Sequence, residues 1–254
     1  MRVRWATLLS LCVAAGTVAC IALSVDPTAI GSIEFQAPSA PSLIRGDTLR
    51  DTTGAVERLH ARVFAANGDE ITDIPVLFTN TDSVATIRDG SLLISNGDTV
   101  GTAKVYASAG GLQSNARNIV IIPRPDSIAP RVTLDTINYT APTTGFSLDT
   151  ASVGFIVRSG SRTVGSVRVS FALYLGGTPL APGDTARYAL ITSVGRVSTV
   201  DTTDGSGLAL RILRVRTPAG TATTDTLVVR AHTALGGAPL KGDTTAVTFL
   251  IRPS

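Results

Sequence analysis

The residues of this 254-residue chain that are suited to chemistry are few and widely spaced. His60 and His232 each stand alone in an alternating run, with no second His, Cys or carboxylate at metal-ligand spacing. The densest acidic stretch is "DTTDGSG", with Asp201 and Asp204. Hard cations need several oxygens converging on one point. These two carboxylates and their neighbouring hydroxyls form a weak calcium candidate, and an Asp-Gly hairpin accounts for the same residues without metal. No serine sits in Gly-x-Ser-x-Gly, and the glycine pairs in "SAGGL" and "LGGTPL" precede no helix that would cradle a phosphate. Paired carboxylates of the glycosidase kind meet only in three dimensions and stay open. The expectation is a protein that is not an enzyme and uses no cofactor or metal.

One stretch imitates a recognition signal. "SLIRGDTLR", residues 42–50, contains Arg45-Gly46-Asp47, the cell-adhesion tripeptide. Gly-Asp-Thr recurs at Gly46, Gly97, Gly183 and Gly242, and only the first copy follows an arginine. Glycine permits a positive φ, and the Asp carboxylate can accept a backbone N–H two residues on before Thr starts a strand. A shared role as a turn explains four copies, whereas integrin recognition explains one.

The elements that carry these residues begin with an address. "MRVRWATLLSLCVAAGTVACIALSV" has a basic start and then no charge from Trp5 to Val25, the pattern of an export signal. The 21-residue run is also long enough for a single N-terminal transmembrane anchor, which stays as the alternative. Within it, "TVAC" at 17–20 resembles the bacterial lipobox, with Thr17 where Leu is usual. That resemblance implies cleavage after residue 19, a diacylglycerol on Cys20 and, with Ile21 following, sorting to the outer membrane. Several acyl chains at about 0.8 kcal/mol per buried CH₂ make such an anchor stable. Cys12 and Cys20 are the only cysteines, so the mature chain has no disulfide.

The chain is 44% hydrophobic but only 5% aromatic and 16% charged, which favours an all-β fold over disorder. Without Arg2 and Arg4, 20 basic side chains face 19 acidic ones, so nothing suggests a nucleic-acid partner. Arg211, Arg214 and Arg216 alternate with apolar residues and are expected on a solvated strand face. Period-two runs bounded by tight turns recur along the chain, among them "RLHARVFAANGDE", "TAKVYASAGG", "VRVSFALYL" and "TLVVRAH". They divide it into a signal peptide (1–19), a lipidated tether (20–27), a first sandwich (28–123), a Pro-rich linker (124–130) and a second sandwich (131–254). "LGGTPLAPGDT" at 175–185 is echoed by "LGGAPLKGDT" at 235–244, which predicts two strand–turn connections of one type.

The first region resembles the bacterial Ig-like domains of group 2 (BIG2). It shows the Gly-Asp-Thr lead-in, the strand ending in Asn67-Gly68, "VLFTNTD", "SVATI" at 83–87 and Gly101-Thr102-Ala103, in that family's order, with Phe78 where Trp is usual. "VSTVDTTDGSGLALRI" is similar to the hairpin of invasin- and intimin-type Ig-like repeats. The two resemblances imply tandem immunoglobulin-like β-sandwiches and an extracytoplasmic habit, with no particular ligand. The expected function is a lipid-anchored envelope protein acting in adhesion, spacing or binding of an envelope protein or glycan. The alternative is a carbohydrate-binding accessory protein, which needs clustered exposed aromatics. Its candidates are Tyr106, Tyr139, Tyr174 and Tyr188.

Overall fold

The structure is a computed structural model that describes residues 26, 28–97, 99–235, 238–243 and 245–254. The leader, Cys12, Cys20 and all of the tether but Asp26 lie outside the described residues. Every regular element among the described residues is a strand. No helix among them is long and apolar enough to cross a membrane.

Alternation builds the first sandwich. In Gly101–Ala109 the side chains of Ala103, Val105, Ala107 and Ala109 are buried, while Thr102 and Lys104 face solvent. This strand lies between Arg117–Ile122 and Leu77–Asn80, both antiparallel to it. Ser42–Ile44 then adds to the outer side of Arg117–Ile122 in parallel. The facing layer pairs Ile30–Phe35 with Ala61–Ala65 and Glu70–Ile71. A hairpin, Ala85–Arg88 with Leu92–Ser95, continues the barrel-like wall through a bridge from Thr48 to Ile94. Phe35 and Phe78 meet at the centre with ring centroids 5.4 Å apart.

The second sandwich repeats the scheme with longer strands. One sheet runs Ser127–Pro130, Phe146–Ser159, Leu208–Pro218, Tyr188–Ile191. The other runs Leu134–Tyr139, Ala246–Pro253, Asp225–His232, Arg168–Leu175, Thr178–Pro179. In both sandwiches the opening strand is split. Its first part is antiparallel in one sheet, and its second part is parallel to the closing strand of the other. That crossing of layers by the opening strand is the immunoglobulin-like arrangement. Phe155 and Phe249 are fully buried, and Phe155 meets Phe171 edge-on at 5.8 Å. Burial of each such ring stabilises the fold by about 2–3 kcal/mol. The two Leu-Gly-Gly echoes both form tight hairpins, pairing Leu175 with Thr178 and Leu235 with Ala238.

The joint between the sandwiches is shorter than the sequence suggests. Ser127–Pro130, expected in the linker, pairs with Phe155, Ile156, Val157 and Arg158 and is the first strand of the second sandwich. Only residues 123–126 connect the two layered bodies. Proline is tolerated at such an edge position because it lacks only a donor that the strand's free side would not use.

Candidate functional site

Residues of both sandwiches come together at that joint. Ile122, the last residue of the first sandwich, is 5% exposed and belongs to the core of the second, with Ile44 packed beside it. Ser42 Oγ donates to the Ser166 carbonyl at 2.7 Å. Above this seam opens a cleft of about 140 Å³, walled by Thr48 and Arg50 on one side and Arg168, Ser170, His232 and Thr233 on the other. Small-molecule sites usually measure roughly 300–1,000 Å³. This cleft is smaller than that.

Its polar groups are tied down by named bonds. Asp47 accepts from Arg50 Nε at 3.2 Å, and Arg50 Nη1 donates to the Gly54 carbonyl at 2.9 Å. Asp243 accepts the Thr233 backbone N–H at 2.9 Å through Oδ1, and its Oδ2 is hydrogen-bonded to His232 Nδ1. Ser170 is the cross-strand partner of His232. Hydroxyl, imidazole and carboxylate thus lie side by side, but no hydrogen bond among the described residues joins Ser170 Oγ to His232. Acyl transfer requires that bond, and also requires donors converging on an oxyanion. The arrangement is a polar groove with cationic and hydroxyl donors over an apolar floor.

The His232–Asp243 contact was not visible in the sequence. The two residues are 11 apart, and the reversal between them places the carboxylate on the imidazole. His60 is exposed and belongs to no cluster of His, Cys, Asp or Glu that could hold a metal ion; no such group of three occurs among the described residues.

Asp201 and Asp204 are each occupied separately. Asp201 Oδ1 lies 3.0 Å from Arg211 Nη1, and its Oδ2 accepts the Leu210 N–H at 2.7 Å. Asp204 Oδ1 accepts from the Ser206 N–H and hydroxyl and from the Leu208 N–H. The Ser206 hydroxyl, and then the Leu208 N–H, hold the Asp204 carboxyl below its ordinary range. The hairpin uses both side chains to fix its own backbone. Arg211 corrects a further expectation, because it points inward and is 8% exposed. It shares the face of Ala209, Leu213 and Val215, and only Arg214 and Arg216 occupy the opposite one. An alternating pattern does not tell which arginine has a carboxylate beside it.

Arg45-Gly46-Asp47 is a turn. The Asp47 N–H donates to the Ile44 carbonyl at 3.0 Å, and Gly46 has φ 72°, the geometry of a type II turn. The Asp47 side chain is only 14% exposed and pairs with Arg50 and Arg124. The carboxylate that an integrin would need is thereby committed. The four copies do not share one geometry, however. Gly46, Gly97 and Gly242 take positive φ, and Gly183 does not. Asp47 caps the N–H of the next residue, Thr48, rather than one two residues on.

The tyrosines form no platform. Tyr139 and Tyr188 are buried, at 1% and 4% exposure, with their hydroxyls on the Thr223 carbonyl and on Asp225. Tyr106 and Tyr174 are half-buried in different sandwiches, and the Arg230 guanidinium lies 4.7 Å over the Tyr174 ring.

No protein-family model matches the chain, and no curated protein matches it in sequence. Among solved structures it is similar to the Yersinia pseudotuberculosis adhesin InvE, at 15% identity and a TM-score of 0.34, over 89% of this chain and 61% of that one. The surface layer protein SbsC, domains 4–9, is similar at 12% identity and a TM-score of 0.32, over 89% of this chain and 30% of that one. The tandem Ig repeats of Dlar match at 9% identity and a TM-score of 0.25, over 87% of this chain and 98% of that one. The chain thus spans under two thirds of the adhesin and of the surface layer protein. Superpositions this loose say nothing of what the chain binds.

Proposed function

We propose that this chain is a non-enzymatic bacterial envelope protein, lipid-anchored through Cys20, whose two Ig-like sandwiches form a stiff arm for adhesion, spacing or partner binding. The observation that carries this reading is the sealed joint. A four-residue connection, a shared core residue in Ile122 and the Ser42–Ser166 bond hold one sandwich against the next. A flexible pair of binding modules would instead be separated by a solvated linker. The lipobox-like "TVAC" and the resemblance of 28–123 to group 2 bacterial Ig-like domains support this reading.

The carbohydrate-binding reading loses its motivation, since no two tyrosines share an exposed face. Membrane fractionation and an intact mass of the extracted protein test the proposal. A lipidated species beginning at Cys20 supports it, and retention of residues 1–19 favours the transmembrane anchor instead.

A further inference from the structure

The charge of the chain is divided unevenly between its sandwiches. Residues 26–122 carry 11 acidic against 7 basic side chains, and residues 127–254 carry 12 basic against 7 acidic. The outer face of one sheet of the second sandwich concentrates the basic excess. Side chains alternate across a strand. Because Val153, Phe155, Leu213 and Val215 point into the core, the pairs Leu148↔Arg216, Thr150↔Arg214 and Gly154↔Leu210 point outward. No Asp or Glu occupies an outward position on these two central strands, Phe146–Ser159 and Leu208–Pro218.

Several arginines elsewhere do meet a carboxylate: Arg50 with Asp47, Arg62 with Glu70, Arg187 with Asp225, Arg211 with Asp201. On this face Arg158, Arg214 and Arg216 meet no carboxylate among the described residues. Arg214 and Arg216 donate instead to backbone carbonyls of 183–185, and Arg216 stacks 3.9 Å over Phe146. Beside them Leu148 is 57% exposed, Phe146 49% and Leu210 38%, so the chain's own first sandwich leaves the face open.

A sheet face with exposed apolar side chains is buried by another surface, and guanidinium groups that meet no carboxylate bind one more strongly than they bind a carbonyl. The first sandwich has that surplus, with Asp69 exposed just before the Glu70–Ile71 strand, Asp73 exposed just after it and Asp89 exposed on the 89–90 turn. We propose that this arginine-rich face binds the acidic first sandwich of a second copy of the chain. Two such faces cannot pair with each other, because guanidinium would meet guanidinium. The contact is therefore head-to-tail, and it closes into a ring or extends as an open array.

Sedimentation velocity of the full chain in mild detergent tests this, with the thermal midpoint of each variant as a control for folding. The wild type is expected to self-associate, about tenfold more weakly at roughly 0.5 M salt than at roughly 0.05 M. Arg158→Glu and the pair Asp69→Lys with Asp73→Lys should each abolish association, and mixing the two variants should restore it. Arg158→Gln replaces Arg158→Glu if the latter shifts the midpoint. A monomer at every concentration overturns the proposal. So does association that neither reversal changes, or a monomer whose Arg158 variant loses binding only to phosphatidylglycerol vesicles. The inference is independent of the lipid anchor: an unlipidated protein that associates defeats the proposed address alone, and a lipidated monomer defeats the self-contact alone.

Discussion

Ser42 Oγ donates to the carbonyl of Ser166 at 2.7 Å, joining residues 124 positions apart that belong to different sandwiches. Beside this bond Ile122 inserts into the second core, with Ile44 packed against it. Neither contact is local in sequence. On the proposed reading they make one arm of the two sandwiches.

Disruption of the seam should therefore uncouple the units. Ile122→Ser is expected to cost about 2–4 kcal/mol, from the lost side chain and the cavity it leaves. Ser42→Ala should cost only about 1 kcal/mol. Calorimetry checks both: the wild type is expected to melt with coupled transitions, and Ile122→Ser with two separated ones. Unchanged melting in Ile122→Ser would show that the joint contributes nothing.

The Arg211–Asp201 pair gives a sharper test of the hairpin. Arg211→Ala leaves the half-buried Asp201 carboxylate without its partner and should cost about 2 kcal/mol. Arg211→Met combined with Asp201→Asn should cost far less, because no half-buried charge is left alone and the Asn oxygen still accepts from Leu210. Millimolar calcium should leave the thermal midpoint of the wild type unchanged. A clear rise would restore the calcium reading of Asp201 and Asp204.

The alkaline limb of stability is set in part by Tyr188. Burial, and then its hydrogen bond to Asp225, push its hydroxyl well above the ordinary phenol range. A group whose folded pKa is raised contributes stability that is complete below its unfolded value, about 10 for tyrosine, and is lost as pH rises toward the folded value. Tyr188→Phe should thus lose stability less steeply than wild type above pH ~10. Phenolate absorbance should show Tyr188 ionising only as the protein unfolds; ionisation alongside free tyrosine would refute the assignment.

At Gly46 the backbone, rather than recognition, is at stake. Alanine there must adopt a left-handed conformation, which costs about 1–2 kcal/mol. Gly46→Ala is expected to lower stability by that amount and to leave attachment of integrin-bearing cells unchanged. Loss of attachment with stability intact would make the tripeptide a ligand.

The fold was legible wherever alternation reports burial. Ala103, Val105 and Ala107, or Leu227, Val229 and Ala231, lie buried where period two places them. The tight hairpins at Gly176-Gly177 and Ala234–Leu235/Ala238–Pro239 were equally plain, because glycine pairs and strand spacing are local signals. What the sequence hid were meetings across the fold. Proline at 130 disguised an edge strand as linker, and Arg211 looked solvated until Asp201 faced it. The joint cleft draws Arg50 from one sandwich and Arg168 from the other, and no spacing rule connects them.

The rigid joint is tested most directly by a distance across it. Spin labels at Arg88→Cys in the first sandwich and Val194→Cys in the second, with Cys12 and Cys20 replaced by serine, report on their relative motion by pulsed electron resonance. A stiff arm predicts one narrow distance distribution that broadens in Ile122→Ser. A broad distribution in the otherwise unaltered chain, indifferent to Ile122→Ser, would contradict it.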